Sequence, residues 1–377
     1  MSALTAATFR PSTAVERVSA RSLRVAQPAS NDEIISLAMG EPGFDTPPGI
    51  RLAAHAALEA GFTHYAHPNG DPELRAALAE LVRTDDVLIT HGGTSGLAAA
   101  VLAIVNPGDT VVLPDPTYSL YADLVHLAGG QCRPVPLLPN LHWDLDALAD
   151  ALPTAKLFIF CNPANPTGIV HTREELEVVA QHATLVLADE AYSDLVYTDT
   201  PFVSALDIGS LAPRTVYCQT FSKAYAMTGW RIGYLAGPRE IVAAAARLHA
   251  TLVGPLNPAT QRAALAALVD GAGPVEQMRE LYQARRDLMA TGLAGINGLH
   301  LDTPDGAFYA FPRYDHDLPA VDLVAHLRRH GVAVRPGSEF GRAGEHHIRL
   351  SFAAEPSAIT AGLDRVRTGL RHLEELR

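Results

Sequence analysis

Only two of the 29 basic residues in this chain are lysines, Lys156 and Lys223, so covalent chemistry at a lysine amine has two candidates. Lys223 sits in a polar turn with Thr220 and Ser222, just past the apolar run Thr215–Gln219. Four earlier apolar runs end in the same kind of segment. Val87–Thr90 leads into His91-Gly-Gly-Thr-Ser-Gly96, whose N–H groups and hydroxyls suit a phosphate at the positive end of a helix. Thr110–Leu113 leads to Tyr118, a ring that can stack on another ring, and Lys156–Cys161 leads to Asn162-Pro-Ala-Asn-Pro-Thr-Gly168. Thr184–Ala188 ends on Asp189-Glu-Ala-Tyr192. A carboxylate such as Asp189 at the end of a buried strand is costly without a partner. The partner is a protonated ring nitrogen in one reading, a structural ion pair or helix cap in the other. Each feature alone has a plain explanation: a chain reversal, packing, a cap or a solvated charge. Their shared position is what points to chemistry.

The elements that carry these residues alternate short β-type runs with alanine- and leucine-rich helical stretches such as Gly96–Val105 and Arg173–Gln181. That alternation predicts an α/β sheet with many parallel strands, and ligands of such sheets bind beyond the carboxyl ends of the strands. Five strand ends then make one pocket. Lys156 opens its run and falls at the wrong end, leaving Lys223. Past about residue 280 the pattern changes to a long helix (Pro274–Leu293) and short β-type segments at Leu299–Thr303, Ala307–Phe311, Val332–Arg335 and Ile348–Phe352. A closing helix, Ser357–Leu373, follows. The expected organisation is an N-terminal arm (1–45) contributing to a smaller α+β domain (280–377), beside a large domain (46–279). Arg10, Arg17, Arg21 and Arg24 give the arm some transit-peptide character, but Ser12–Arg21 reads as a helix capped by Ser12 or Thr13.

The composition bounds the class. With 377 residues, 48% of them hydrophobic, the chain can build a large core. A net charge of −12 argues against a nucleic-acid surface. No apolar run approaches the roughly 18 residues of a membrane span. Three scattered cysteines suggest a reducing, cytoplasmic setting. No metal is expected: His64 and His67, and His346 and His347, lack a third ligand at metal spacing. Cys161 reads as a small buried residue.

The run Ser222-Lys-Ala-Tyr-Ala-Met-Thr-Gly-Trp-Arg-Ile-Gly-Tyr234 resembles the lysine motif of class I aminotransferases, the fold-type I enzymes that use pyridoxal 5'-phosphate. The resemblance covers nearly the whole chain. It includes 37–47, 64–75, Asn165-Pro-Thr-Gly168, Asp189-Glu-Ala-Tyr192, Gly306-Ala-Phe-Tyr309 and Arg349-Leu-Ser-Phe352. It implies an α/β fold whose mixed, mostly parallel sheet is flanked by helices. It also implies that Lys223 holds the cofactor as a Schiff base and later moves a proton. By the same resemblance Asp189 pairs with the ring nitrogen, and Asn165 and Tyr192 bond the ring oxygen. Tyr118 stacks on the ring where many relatives have Trp. Gly93, Thr94, Thr220, Ser222 and Arg231 hold the phosphate. Tyr65 reaches the phosphate of a neighbouring subunit, which implies a homodimer with shared active sites. Arg349, Asn165 and the Gly40 backbone receive the substrate carboxylate, while Trp230 packs.

The implied reaction is transfer of an amino group between an L-amino acid and a 2-oxo acid. The alternative is a related enzyme that diverts the same carbanion into cyclisation, γ-elimination or replacement, or oxidation. The segment Thr251–Pro258 departs from the serine-rich version common in the family and keeps that alternative open. It also lacks the arginine that dicarboxylate-preferring relatives show there, although Arg17 or Arg21 could replace it. Phe44 and the 251–258 loop are the expected lining of the side-chain pocket.

Overall fold

The computed structural model describes residues 10–21, 34–84, 86–199, 201–375. Arg24 lies outside them. The arm helix α1 spans Thr13–Arg21 and begins where Ser12 predicts, the Ser12 carbonyl accepting the Glu16 amide at 3.0 Å. The next strand, β1 (Ile35–Ser36), is followed by α2 (Pro48–Glu59) and α3 (Pro72–Val82).

A seven-stranded sheet then forms from β2 (Val87–Thr90), β3 (Thr110–Asp115), β4 (Gln131–Pro136), β5 (Leu157–Cys161), β6 (Val186–Asp189), β7 (Thr215–Thr220) and β8 (Gly233–Ala236). Its spatial order is β2-β8-β7-β6-β5-β3-β4. The strands from β7 to β4 are parallel neighbours, while β8 runs antiparallel to both β7 and β2. All residues of β5, β6 and β7 are buried, as expected of strands covered by helices on both faces. The helices α4 (Gly92–Ile104), α5 (Leu120–Ala128), α6 (Leu145–Ala151), α7 (Arg173–His182), α8 (Arg239–Leu252) and α9 (Pro258–Asp270) accompany it.

Two local differences from the sequence reading have clear causes. Helix α4 starts at Gly92 rather than Gly96, because the Gly-Gly-Thr-Ser turn is itself the first helical turn. Strand β4 was not expected. It contains two prolines and buries only Val135, and it lies at the sheet edge, where proline is tolerated.

The C-terminal part contains the expected long helix α10 (Ala272–Ala294), short strands β9 (Leu299–His300), β10 (Tyr309–Ala310), β11 (Arg313–Tyr314), β12 (Val332–Ala333), β13 (Arg335–Pro336) and β14 (Ile348–Ser351), and helices α11 (Ala320–Arg329) and α12 (Pro356–Glu375). Strand β1 pairs in parallel with β12, so the chain that leads to Gly40 is tied to the C-terminal part. Among the described residues, no helix is long and apolar enough to cross a membrane. The three cysteines are free.

Helix α7 shows how a buried charge is used structurally. Thr172 and Glu175 form a reciprocal cap. Glu175 Oε1 also accepts from Trp143 N at 3.2 Å and lies 3.1 and 3.3 Å from Nδ1 of His142 and His171. The His171 ring stacks on Trp143 with centroids 3.7 Å apart. These three side chains have metal-ligand composition, but both Glu175 oxygens already accept N–H groups of the chain. Burial works against the charged carboxyl, yet the hydrogen bonds from the two histidines prevail and hold it well below the ordinary carboxylate range. A carboxylate with a lowered pKa stabilises the fold above its ordinary pKa, and that contribution fades as pH falls. Glu175→Ala should therefore cost roughly 3 kcal/mol in urea unfolding at pH 7. The difference from wild type should shrink on acidification.

Candidate active site

Helices and strands bring the predicted residues to one edge of the sheet, around a cavity of about 380 Å³. Because β8 is antiparallel, it starts at the edge where β2 and β7 end, with Thr90 and Thr220 in register with Gly233. That reversal brings Arg231 beside the first turn of α4. Gly92 has φ +74, and a Cβ there would lie 2.8 Å from Arg231 Nη2, so only glycine fits. Arg231 is also left-handed, at φ 53, and donates to the Thr228 carbonyl at 2.8 Å. Thr220 Oγ1 donates to Ser222 Oγ at 2.9 Å. Gly93, Thr94, Thr220, Ser222 and Arg231 all line the cavity, and the helix N-terminus adds N–H donors. These groups can hold a phosphate.

Next to them, the end of β6 presents Asp189 at the cavity floor. Tyr121 Oη donates to its Oδ2 at 2.8 Å, and the Ala191 amide reaches Oδ1 at 3.3 Å. Burial raises the Asp189 carboxyl to about 6 against the opposing effect of these bonds. A cation placed against it would favour the charged form further. Tyr118 lines the same space and meets Tyr121 edge-on, with centroids 5.5 Å apart. Tyr192 Oη and Tyr309 Oη lie 2.9 Å apart.

Lys223 is largely buried, with Nζ donating to the Gly40 carbonyl at 2.6 Å. Burial, reinforced by the Arg349 cation, lowers its ammonium to about 8. A neutral amine is therefore accessible near physiological pH, as a nucleophile or base requires. The other lysine, Lys156, pairs with Asp109 at 2.6 Å at the amino end of the strands and does not line the cavity.

Arg349 leaves β14 with its guanidinium over the Tyr309 ring, 4.3 Å from the centroid. Its Nη1 donates to Asn165 Oδ1 at 2.9 Å and its Nη2 to the Ala38 carbonyl at 2.8 Å. Its Nε is buried without a partner, leaving a donor for a carboxylate. Gly40 is required for close approach, since a Cβ there would fall 2.0 Å from Tyr309 Oη.

Several groups here had no assigned role in the sequence. Tyr121 stands three residues after Tyr118, nearly one helical turn on, and that spacing was the available signal. Tyr309 lay within a quoted motif. Arg335, Glu339 and Phe340 line the cavity from the segment before Arg349. Tyr65 is 95% exposed and, within one chain, lies outside the cavity. Phe44 and the 251–258 loop do not line it either. Phe44 instead packs against Tyr282 and under the Arg285 guanidinium, 4.5 Å from its ring. Trp230 donates to Thr46 Oγ1 at 3.0 Å, a packing contact. Cys161 is buried.

Comparison with known proteins bears on the family and the fold. Residues 32–366 match the family model described as aminotransferase class I and II. An aspartate/prephenate aminotransferase of Thermus thermophilus is 36% identical, over 88% of this chain and 90% of its own length. The solved structure of an aromatic aminotransferase from Pyrococcus horikoshii superposes with a TM-score of 0.89 at 32% identity, covering 96% of this chain and 99% of that one. An aspartate aminotransferase from Thermus thermophilus, solved with maleate, gives 0.84 at 34% identity, covering 96% and 97%.

The environment of Lys223 has a measurable consequence. In cofactor-free protein, amine-directed acylation of Lys223, followed by peptide mapping, should rise with a midpoint near pH 8. Removing the neighbouring cation with Arg349→Gln should move that midpoint upward. An unchanged midpoint would contradict the electrostatic account.

Proposed function

This chain belongs to the class I and II aminotransferases, and we propose that it uses pyridoxal 5'-phosphate at the Lys223 cavity to move amino groups between L-amino acids and 2-oxo acids. The observation that supports this reading best is the convergence of Lys223, Asp189, Tyr192, Asn165, Arg231 and Arg349 on a single cavity. The donor set fits the cofactor. A buried carboxyl raised by desolvation is stabilised by a protonated ring nitrogen, and a close-packed glycine turn with Arg231 suits a phosphate. When bound, the cofactor supplies an aldehyde for the amine and a ring that draws electrons from the substrate Cα.

The remaining work falls to the chain. Asp189 holds the ring nitrogen's proton, and Tyr121 orients Asp189. Tyr118 covers the ring face. Asn165, with Oδ1 engaged by Arg349, offers its amide N–H groups to the ring oxygen, where Tyr192 also donates. Arg349 binds the substrate α-carboxylate near the Gly40 backbone and so aims Cα at Lys223. Nζ of Lys223, neutral above about pH 8, takes the Cα proton.

A second subunit completes this reading. Tyr65 lies with Leu52, Leu58 and Phe62 in a stretch of exposed apolar groups, which suits a homodimer in which Tyr65 reaches the partner's phosphate. Sedimentation should give twice the chain mass. Tyr65→Phe should weaken cofactor binding by about tenfold, the loss of one hydrogen bond to a charged group.

Activity is tested by mixing the cofactor-loaded protein with a panel of amino acids. Wild type should lose the visible absorption of its lysine-bound cofactor and release the 2-oxo acid, whereas Lys223→Ala should do neither. Failure of every amino acid in the panel would overturn the reading. Release of a cyclised or eliminated product would favour diverted chemistry.

A further inference from the structure

The cavity holds one charged pair that the reaction does not use. Arg335 lies on β13 directly opposite Arg349 on β14, in antiparallel register. Two guanidinium groups at cross-strand positions repel each other unless an anion intervenes. Glu339, in the turn after β13, supplies it. Its Oε1 accepts from Arg335 Nη2 in a close contact, and the residue is only 4% exposed. Its second oxygen, Oε2, is buried and has no hydrogen-bond partner. Arg335, Glu339 and Phe340 all line the cavity that contains Lys223 and Arg349.

The charges can be assigned one by one. Arg231 is matched to the phosphate, Asp189 to the ring nitrogen and Arg349 to the substrate α-carboxylate. Only Arg335 and Glu339 remain for the substrate side chain, and they neutralise each other. From this we infer that the Arg335–Glu339 pair selects substrates whose side chain ends in a hydrogen-bond donor, a hydroxyl, amide or ammonium group, and rejects those ending in a carboxylate. The inference rests on the aminotransferase reading of the cavity.

The physical basis is twofold. A donor group satisfies Oε2 of Glu339, which otherwise stays buried and unpaired. A second substrate carboxylate would have to displace Glu339 from Arg335, leaving two anions side by side in a poorly solvated space. The same geometry predicts the converse. Without the Glu339 charge, Arg335 and Arg349 form two adjacent cationic forks, one for each end of a dicarboxylate.

Three four-carbon acids that differ only at the far end provide the test: butyrate, 4-hydroxybutyrate and succinate. Dissociation constants are measured calorimetrically on the cofactor-loaded protein, wild type and Glu339→Gln. In wild type, 4-hydroxybutyrate should bind tightest and succinate weakest. In Glu339→Gln, succinate should gain at least about tenfold relative to butyrate. A purely structural Glu339 would lower the melting temperature of the variant and leave the order of the three ligands unchanged, which overturns the inference. Tighter binding of succinate than of butyrate by wild type overturns it without any variant, as does failure of all three to bind. Failure of the selectivity claim and failure of the aminotransferase reading give different results. Amino transfer with a reversed ligand order sinks only the selectivity claim, whereas the predicted order without transfer from any amino acid sinks only the aminotransferase reading.

Discussion

Placing charges at the carboxyl edge of a sheet whose central strands are fully buried is the constraint on which the rest depends. Asp189 ends a strand with no exposed residue, and Lys223 is part-buried behind Gly40. Both pay for loss of water, visible in the upward shift of one and the downward shift of the other. Neither group could persist on a mobile loop, because its compensating partners must be held to within a fraction of an ångström. The sheet register provides that control. Cys161 and Asp189 lie opposite each other across β5 and β6, and Thr220 faces Gly233 across β7 and β8.

The antiparallel strand β8 has a specific purpose in this arrangement. In a fully parallel sheet, the residue preceding a strand would fall at the amino edge, remote from the cavity. Reversal of one strand brings Arg231 to the same edge as Thr90 and Thr220. The arm enters by a comparable route. Pairing of β1 with β12 fixes the segment 37–40, whose Ala38 and Gly40 carbonyls receive Arg349 and Lys223.

Much of this was legible in the sequence, for a physical reason. Buried parallel strands read as uninterrupted apolar runs, and the polar residue after each run marks the strand end. Lys223, Asp189 and Asn165 are found that way, whereas Arg231 precedes its strand and is named only by the family resemblance. Edge strand β4 was invisible because its prolines and half-exposed pattern look like loop. Tyr121 and Glu339 were missed for another reason: their partners are distant in sequence, Asp189 for Tyr121, or belong to a turn whose direction only the fold determines. The misplacement of Phe44 has the same origin. Its partner Arg285 lies on a helix more than two hundred residues away.

The scarcity of lysine acquires a meaning once the fold is known. An aldehyde-bearing cofactor condenses with any accessible primary amine, and adducts on a protein surface divert it from use. Here the chain offers one ε-amine in the cavity and one other, Lys156, which is already engaged by Asp109. With arginine carrying nearly all the positive charge, the chain offers few primary amines to simple aldehydes. An aldehyde cofactor would then meet few amines other than Lys223 with which to form unproductive adducts.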